Sequence, residues 1–135
     1  MAIFLNNTAV VTFNSVDLSA YVTAVTINQA FDELEVTAMG DTAHKFTKGL
    51  EASTITLDFL NDNDAAKVVP TLRAAYGTTV PVTIKQKTGA TAVDNPLYST
   101  TVLVNNLQNI NGAVGDISSQ SITFTCNSVI TVTTA

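Results

Sequence analysis

Short runs of this chain alternate between apolar and small polar side chains, and that period of two constrains the fold more than any other feature. The clearest run is 53–60, where Ile55, Leu57 and Phe59 share one side and Thr54, Thr56 and Asp58 the other. A strand turns successive side chains to opposite faces, so such a run has one dry face and one wet face. Comparable runs at 8–13, 22–31, 79–86, 97–105 and 118–126, with a short one at 129–133, predict about seven strands. In the second of these, Val25, Ile27 and Phe31 fall on one face. The residues 14–19 between the first two are turn formers. Composition agrees: 22 Thr, 16 Val and 8 Ile make up about a third of the 135 residues. Branching at Cβ suits a half-buried pleated surface and costs rotamer freedom in a helix. No Gly-rich linker or change of composition divides the chain, so one domain over 1–135 is expected, with terminal arms at 1–7 and 127–135.

One segment breaks the period. Asn61, Asp62, Asn63 and Asp64 are helix-capping types, and Val68, Leu72, Ala75 and Tyr76 follow at helical spacing before Gly77. A short helix over about 62–76 is predicted. Pro70 implies that the helix either kinks there or starts with Pro70 in its first turn.

Residues 32–50 are the least regular part and read as a long extended loop. Such a length between two strands is often functional. Asp32, Glu33 and Glu35 open it, Met39 and Asp41 flank a turn at Gly40, and His44, Lys45 and Lys48 close it. Two readings stand: a solvated loop whose acidic and basic limbs attract each other, or complementary faces that meet on neighbouring subunits. Those eight residues are the candidate subunit contacts.

Nothing in the sequence points to catalysis. His44 is the lone histidine, so a multi-histidine metal site is impossible. It is expected at the surface or in an interface. Glu33 and Glu35 share a strand face but read as an exposed acidic pair rather than an acid–base couple. Asp62 and Asp64 lack the glycine and the final glutamate of a calcium loop. Residues 112–115 are followed by no Lys-Ser/Thr and read as a turn. Cys126 shares a face with Ile122 and Phe124 and reads as a buried structural thiol. No cofactor and no enzymatic activity are expected.

Charge narrows the field further. Charged residues are 13% of the chain, about half the usual fraction. The net charge is −5, with only six scattered cations. Phosphate gripping needs clustered Lys and Arg, so a DNA-binding protein is excluded, while one that must not hold DNA is allowed. Low charge with many hydroxyls suits surfaces buried against other proteins. No run has the length of a membrane span, and residues 1–5 lack the basic start and apolar core of a secretory signal.

Three ordered segments carry a family resemblance. They are Asp17-Leu18-Ser19-Ala20-Tyr21-Val22, Glu35-Val36-Thr37-Ala38-Met39-Gly40-Asp41-Thr42, and 48–59 ending in Thr56-Leu57-Asp58-Phe59. With Gly115-Asp116-Ile117-Ser118 and the six residues after it, they resemble the major tail (tail tube) proteins of long-tailed bacteriophages over residues 8–126. The resemblance implies a β-sandwich or partly closed barrel flanked by one helix. It implies hexameric rings that stack into a tube through which DNA leaves the particle, with 32–50 reaching a neighbouring subunit. Implied partners are further copies of the chain and other tail proteins: tape measure, tail terminator, and baseplate or tip. DNA would pass without specific binding, and the protein would reside in the virion tail after assembly in the host cytoplasm. Alternatives are a capsid decoration or other accessory virion protein, and a carbohydrate- or receptor-binding module using Tyr21, Tyr76 or Tyr98.

Overall fold

The computed structural model describes residues 9–65 and 67–134, so the expected arm at 1–7 lies outside the described residues. In chain order the elements are β1 (Val10–Phe13), β2 (Val16–Asp17), β3 (Val22–Asn28), β4 (Phe31–Glu35), β5 (Phe46–Glu51), β6 (Thr54–Leu60), α1 (Val68–Ala75), β7 (Thr79–Lys85), β8 (Leu97–Leu103), β9 (Ser119–Cys126) and β10 (Thr131–Thr133). Eight strands form one antiparallel sheet in the order β2-β1-β7-β8-β9-β6-β3, with β10 added on β8. β4 and β5 pair only with each other. The protein is mostly β with one helix, as expected, with three more strands than the sequence pattern picks out.

The alternation becomes the core directly. Ile55, Leu57 and Phe59 of β6 are buried, as are Ile122 and Phe124 of β9, Val80, Val82 and Ile84 of β7, and Val11 and Phe13 of β1. Phe13 and Phe124 lie with ring centroids 5.4 Å apart. Their strands are three places apart in the sheet, which would separate them by roughly 14 Å were it flat. The sheet therefore folds over on itself. The fold line is at the β8–β9 step, where only Val102↔Cys126 and Leu103↔Thr125 pair, against seven pairs between β7 and β8. The other end of β8 pairs with β10 instead. The result is an open sandwich rather than a closed barrel, because β2 and β3 end the sheet without pairing to each other.

The helix is shorter than the expected 62–76. Asp62 accepts a hydrogen bond at Oδ1 from the Asp64 amide, 2.9 Å, forming a local turn that takes these residues out of the helix. α1 then begins at Val68 without a side-chain cap. Pro70 lies in its first turn, where a missing N–H costs nothing. Val68, Val69, Thr71, Leu72 and Ala75 are buried, whereas Tyr76 is exposed. Gly77, at φ +81°, turns the chain out of the helix, and its amide donates to Val104 O at 2.9 Å. In the C-terminal stretch, read both as a terminal arm and, at 129–133, as a short strand, Ile130 is buried and β10 pairs with β8. No helix among the described residues is long and apolar enough to cross a membrane.

Candidate assembly surface

Residues 32–50, expected as a loop, form a β-ribbon arm. The β3–β6 pairing ends at Asn28↔Thr54, and the Ala52 amide continues it by donating to Ala30 O at 2.7 Å. β4 and β5 then pair from Phe31↔Glu51 out to Glu35↔Phe46. A register shift between Phe31 and Glu33 breaks the alternation, which hides both strands from a period-two reading. Gly49 is needed here: a Cβ at that position would stand 2.8 Å from Asp32 O. At the tip, Gly40 adopts φ +91° in a turn closed by the Asp41 amide donating to Ala38 O, 3.2 Å. The Asp41 carboxylate accepts from the Ala38 amide at 2.8 Å and pairs with Lys45 at 3.0 Å. Those two bonds, the amide first, hold its pKa below the usual aspartate range. Thr37 donates to Glu35 at 2.9 Å and accepts from the Lys45 amide at 2.9 Å.

All eight candidate contact residues lie on this arm, and part of their charge is matched within it. Glu35 contacts His44, Asp41 pairs with Lys45, and Glu33 stands opposite Lys48 in the ladder. Lys48 Nζ also lies 5.8 Å from the centroid of the Phe31 ring. His44 is exposed, and Met39 is fully so at the tip. Beside these exposed polar groups the arm also leaves large apolar side chains uncovered. Phe31, Leu34, Val36 and Phe46 are each about half exposed and Leu50 is 82% exposed. A search for charged or chemically active residues passes over these side chains; their signal would have been apolar residues in a segment with no core to join.

Glu51 anchors the root of the arm. Its Oε2 accepts from the Ile130 amide at 2.8 Å and its Oε1 from Gln29 at 3.2 Å, tying β5 to the segment before β10 and to the chain after β3. These bonds, the Ile130 amide first, lower the Glu51 pKa. Beside the root, a cleft of about 300 Å³ opens between the half-sheets, lined by Val25, Ile27, Ile84 and Tyr98 among others.

A second uncovered surface lies on the β8–β9 connection, which contains the turn at 112–115 and the start of the resemblance segment at 115–118. Ile110 (94%), Val114 (106%) and Ile117 (78%) project into solvent. The base beneath them is held firmly. The Asn61 amide donates to Ser118 O at 3.0 Å, Asn111 Nδ2 to Ser119 O at 2.7 Å, and Ser118 Oγ to Asn111 O at 2.6 Å. Buried Gln120 donates to Asn61 Oδ1 at 2.8 Å and accepts from the Gln108 amide at 3.3 Å. A cleft of about 480 Å³ separates this connection, at Asn105 to Leu107 and Asn109, from Arg73 and Tyr76 at the end of α1.

The remaining candidates are dispersed. Tyr21 packs on the core with Lys67 Nζ 5.4 Å from its ring centroid, whereas Tyr76 and Tyr98 line different clefts. Cys126 is half-buried against the core, and burial pushes its thiol pKa up. Among the described residues no group of three or more His, Cys, Asp or Glu side chains could hold a metal ion.

No protein-family model matches the chain, and no curated protein matches it by sequence. The fold has a counterpart among solved structures. A chain from the virion of a native gene transfer agent particle superposes with a TM-score of 0.77 at 9% identity, covering 97% of this chain and 99% of that one. At that identity the likeness is one of fold, and it extends over both chains almost end to end.

Proposed function

We propose that this chain is a structural, non-enzymatic virion protein: a tail tube subunit that assembles into hexameric rings stacked into a channel for DNA. The observation that carries the reading is the β4–β5 arm, a two-stranded ribbon paired with no other strand and with apolar side chains exposed along it. An isolated two-stranded ribbon is marginal in water, and its open edges invite pairing. A segment like this becomes stable when other subunits cover it, and symmetric assembly supplies that cover in every copy. The fold likeness to a chain of a gene transfer agent virion supports the virion setting. A net charge of −5 with few cations supports a wall along which phosphates slide without sticking. Tape measure, terminator and baseplate or tip proteins are the other proposed partners. Negative-stain microscopy of the purified chain tests the reading. Stacked six-fold rings are expected. Persistent monomers across salt and concentration refute it, and trimers that coat heads without polymerising favour a decoration protein instead.

A further inference from the structure

The two uncovered apolar surfaces sit at opposite ends of one strand. The arm leaves the fold at the Thr54 end of β6, where the pairing of β3 with β6 passes into that of β4 with β5. The connection bearing Ile110, Val114 and Ile117 is fastened at the Leu60 end, through Leu60↔Ser119 and the Asn61 amide on Ser118 O. Seven residues of strand place the two roughly 20 Å apart along the sheet. Neither surface is covered within the described chain, and the distance keeps each from covering the other.

We infer that the arm of one copy docks on the 104–118 connection of the next, so that copies join head to tail along the direction of β6. This deepens the tube-subunit reading and rests on it: it names the surface that receives the arm. Three observations favour a second copy as the occupant. First, the two surfaces match in chemistry. The receiving connection carries a single charged residue, Asp116, as the centre of an interface should, and the arm brings exposed Phe31, Leu34, Val36, Met39, Phe46 and Leu50 alongside its charged residues. Second, the sizes suit. The arm presents roughly twenty residues, about one side of a standard stable interface. Third, the receiving surface is built before docking: the bonds through Asn61, Asn111, Ser118 and Gln120 hold the connection, so little ordering cost falls on association. Two different patches at opposite ends make a heterologous contact, which propagates where an isologous one would close at a dimer.

Disulfide mapping on the full chain, in a Cys126→Ser background, tests the inference. Met39→Cys is combined in turn with Ile110→Cys, Val114→Cys and Ile117→Cys, and assembled protein is mildly oxidised. The expected result is a ladder of covalent dimers, trimers and longer species from at least one pair, absent from each single-cysteine control. Polymers that yield no ladder from any pair overturn the inference while leaving the tube reading intact. Dimers from Met39→Cys alone, indicating arm-to-arm contact, overturn it as well. A cysteine-free check uses Val114→Asp, which should leave the thermal midpoint of the monomer unchanged and abolish polymer. Normal polymer from that variant counts against the inference, and monomers from the unmodified chain under all conditions remove both readings.

Discussion

Replacing Phe13 by alanine tests whether the sheet is folded over on itself. Phe13 is fully buried on β1, and its ring lies 5.4 Å from that of Phe124 on β9. Removing a buried phenyl ring costs about 3–5 kcal/mol, through lost transfer energy and the cavity left behind. The aromatic pairing contributes about 0.5–1.5 kcal/mol beyond burial, so the loss should fall in the upper part of that range. Against a total stability of about 5–15 kcal/mol, such a loss removes a large share of the margin. Urea unfolding followed by circular dichroism measures the change, with the slope checked for constancy so that the midpoint shift can be read as stability. A cycle with Phe124→Leu isolates the pair, and a coupling well above the error of the measurement is expected. A loss below about 1 kcal/mol for Phe13→Ala, with no coupling, would place the two rings apart. The sandwich would then be wrong, although every strand in it could be right.

The same side-chain deletion on the arm should behave in the opposite way. Phe46→Ala with Leu50→Ala removes exposed groups, so the monomer should change by no more than about 0.5 kcal/mol per site while polymer yield by sedimentation collapses. Unchanged polymer would free the arm of its proposed role. Gly49→Val introduces a Cβ 2.8 Å from Asp32 O and should splay β4 from β5, lowering polymer yield with the core midpoint nearly constant; normal assembly would show that the ribbon tolerates the side chain. Glu51 supplies a pH dependence with a definite sign. Its pKa is depressed by the Ile130 amide and Gln29, so the stabilisation is complete above the ordinary glutamate value of about 4.3 and is lost as pH falls from there through the lowered value. Hydrogen exchange at the Ile130 amide should accelerate over that range beyond the intrinsic rate change, and Glu51→Gln should flatten the response. An acid profile identical in the two proteins would contradict the clamp.

Where one face of a strand is dry and the other wet, the sequence alone was enough. Residues 53–60, 79–86 and 118–126 are strands within a residue at either end, and Ile55, Leu57, Phe59, Ile122 and Phe124 are core, because a period of two leaves no other way to bury them together. The stop at Gly77 was legible for a similarly local reason, the need for positive φ. The remaining features depend on partners far away in the chain. β4 and β5 have both faces in water and a shifted register, so no single-strand pattern marks them; they are strands because β3 and β6 deliver them side by side. The start of α1 was set by Asp62 turning its carboxylate onto the Asp64 amide in place of capping the helix. β10 was legible as the short run at 129–133, but its partners were not: it is held by β8 and by Glu51. The exposed residues Ile110, Val114 and Ile117 look in sequence like any other apolar residues. Only the folding over of the sheet, which seats Phe13 on Phe124 and leaves the 104–118 connection outside, decides that they face water at the end opposite the arm. Periodicity records which side of a strand is dry, while the surfaces left uncovered follow from how distant strands close around the core.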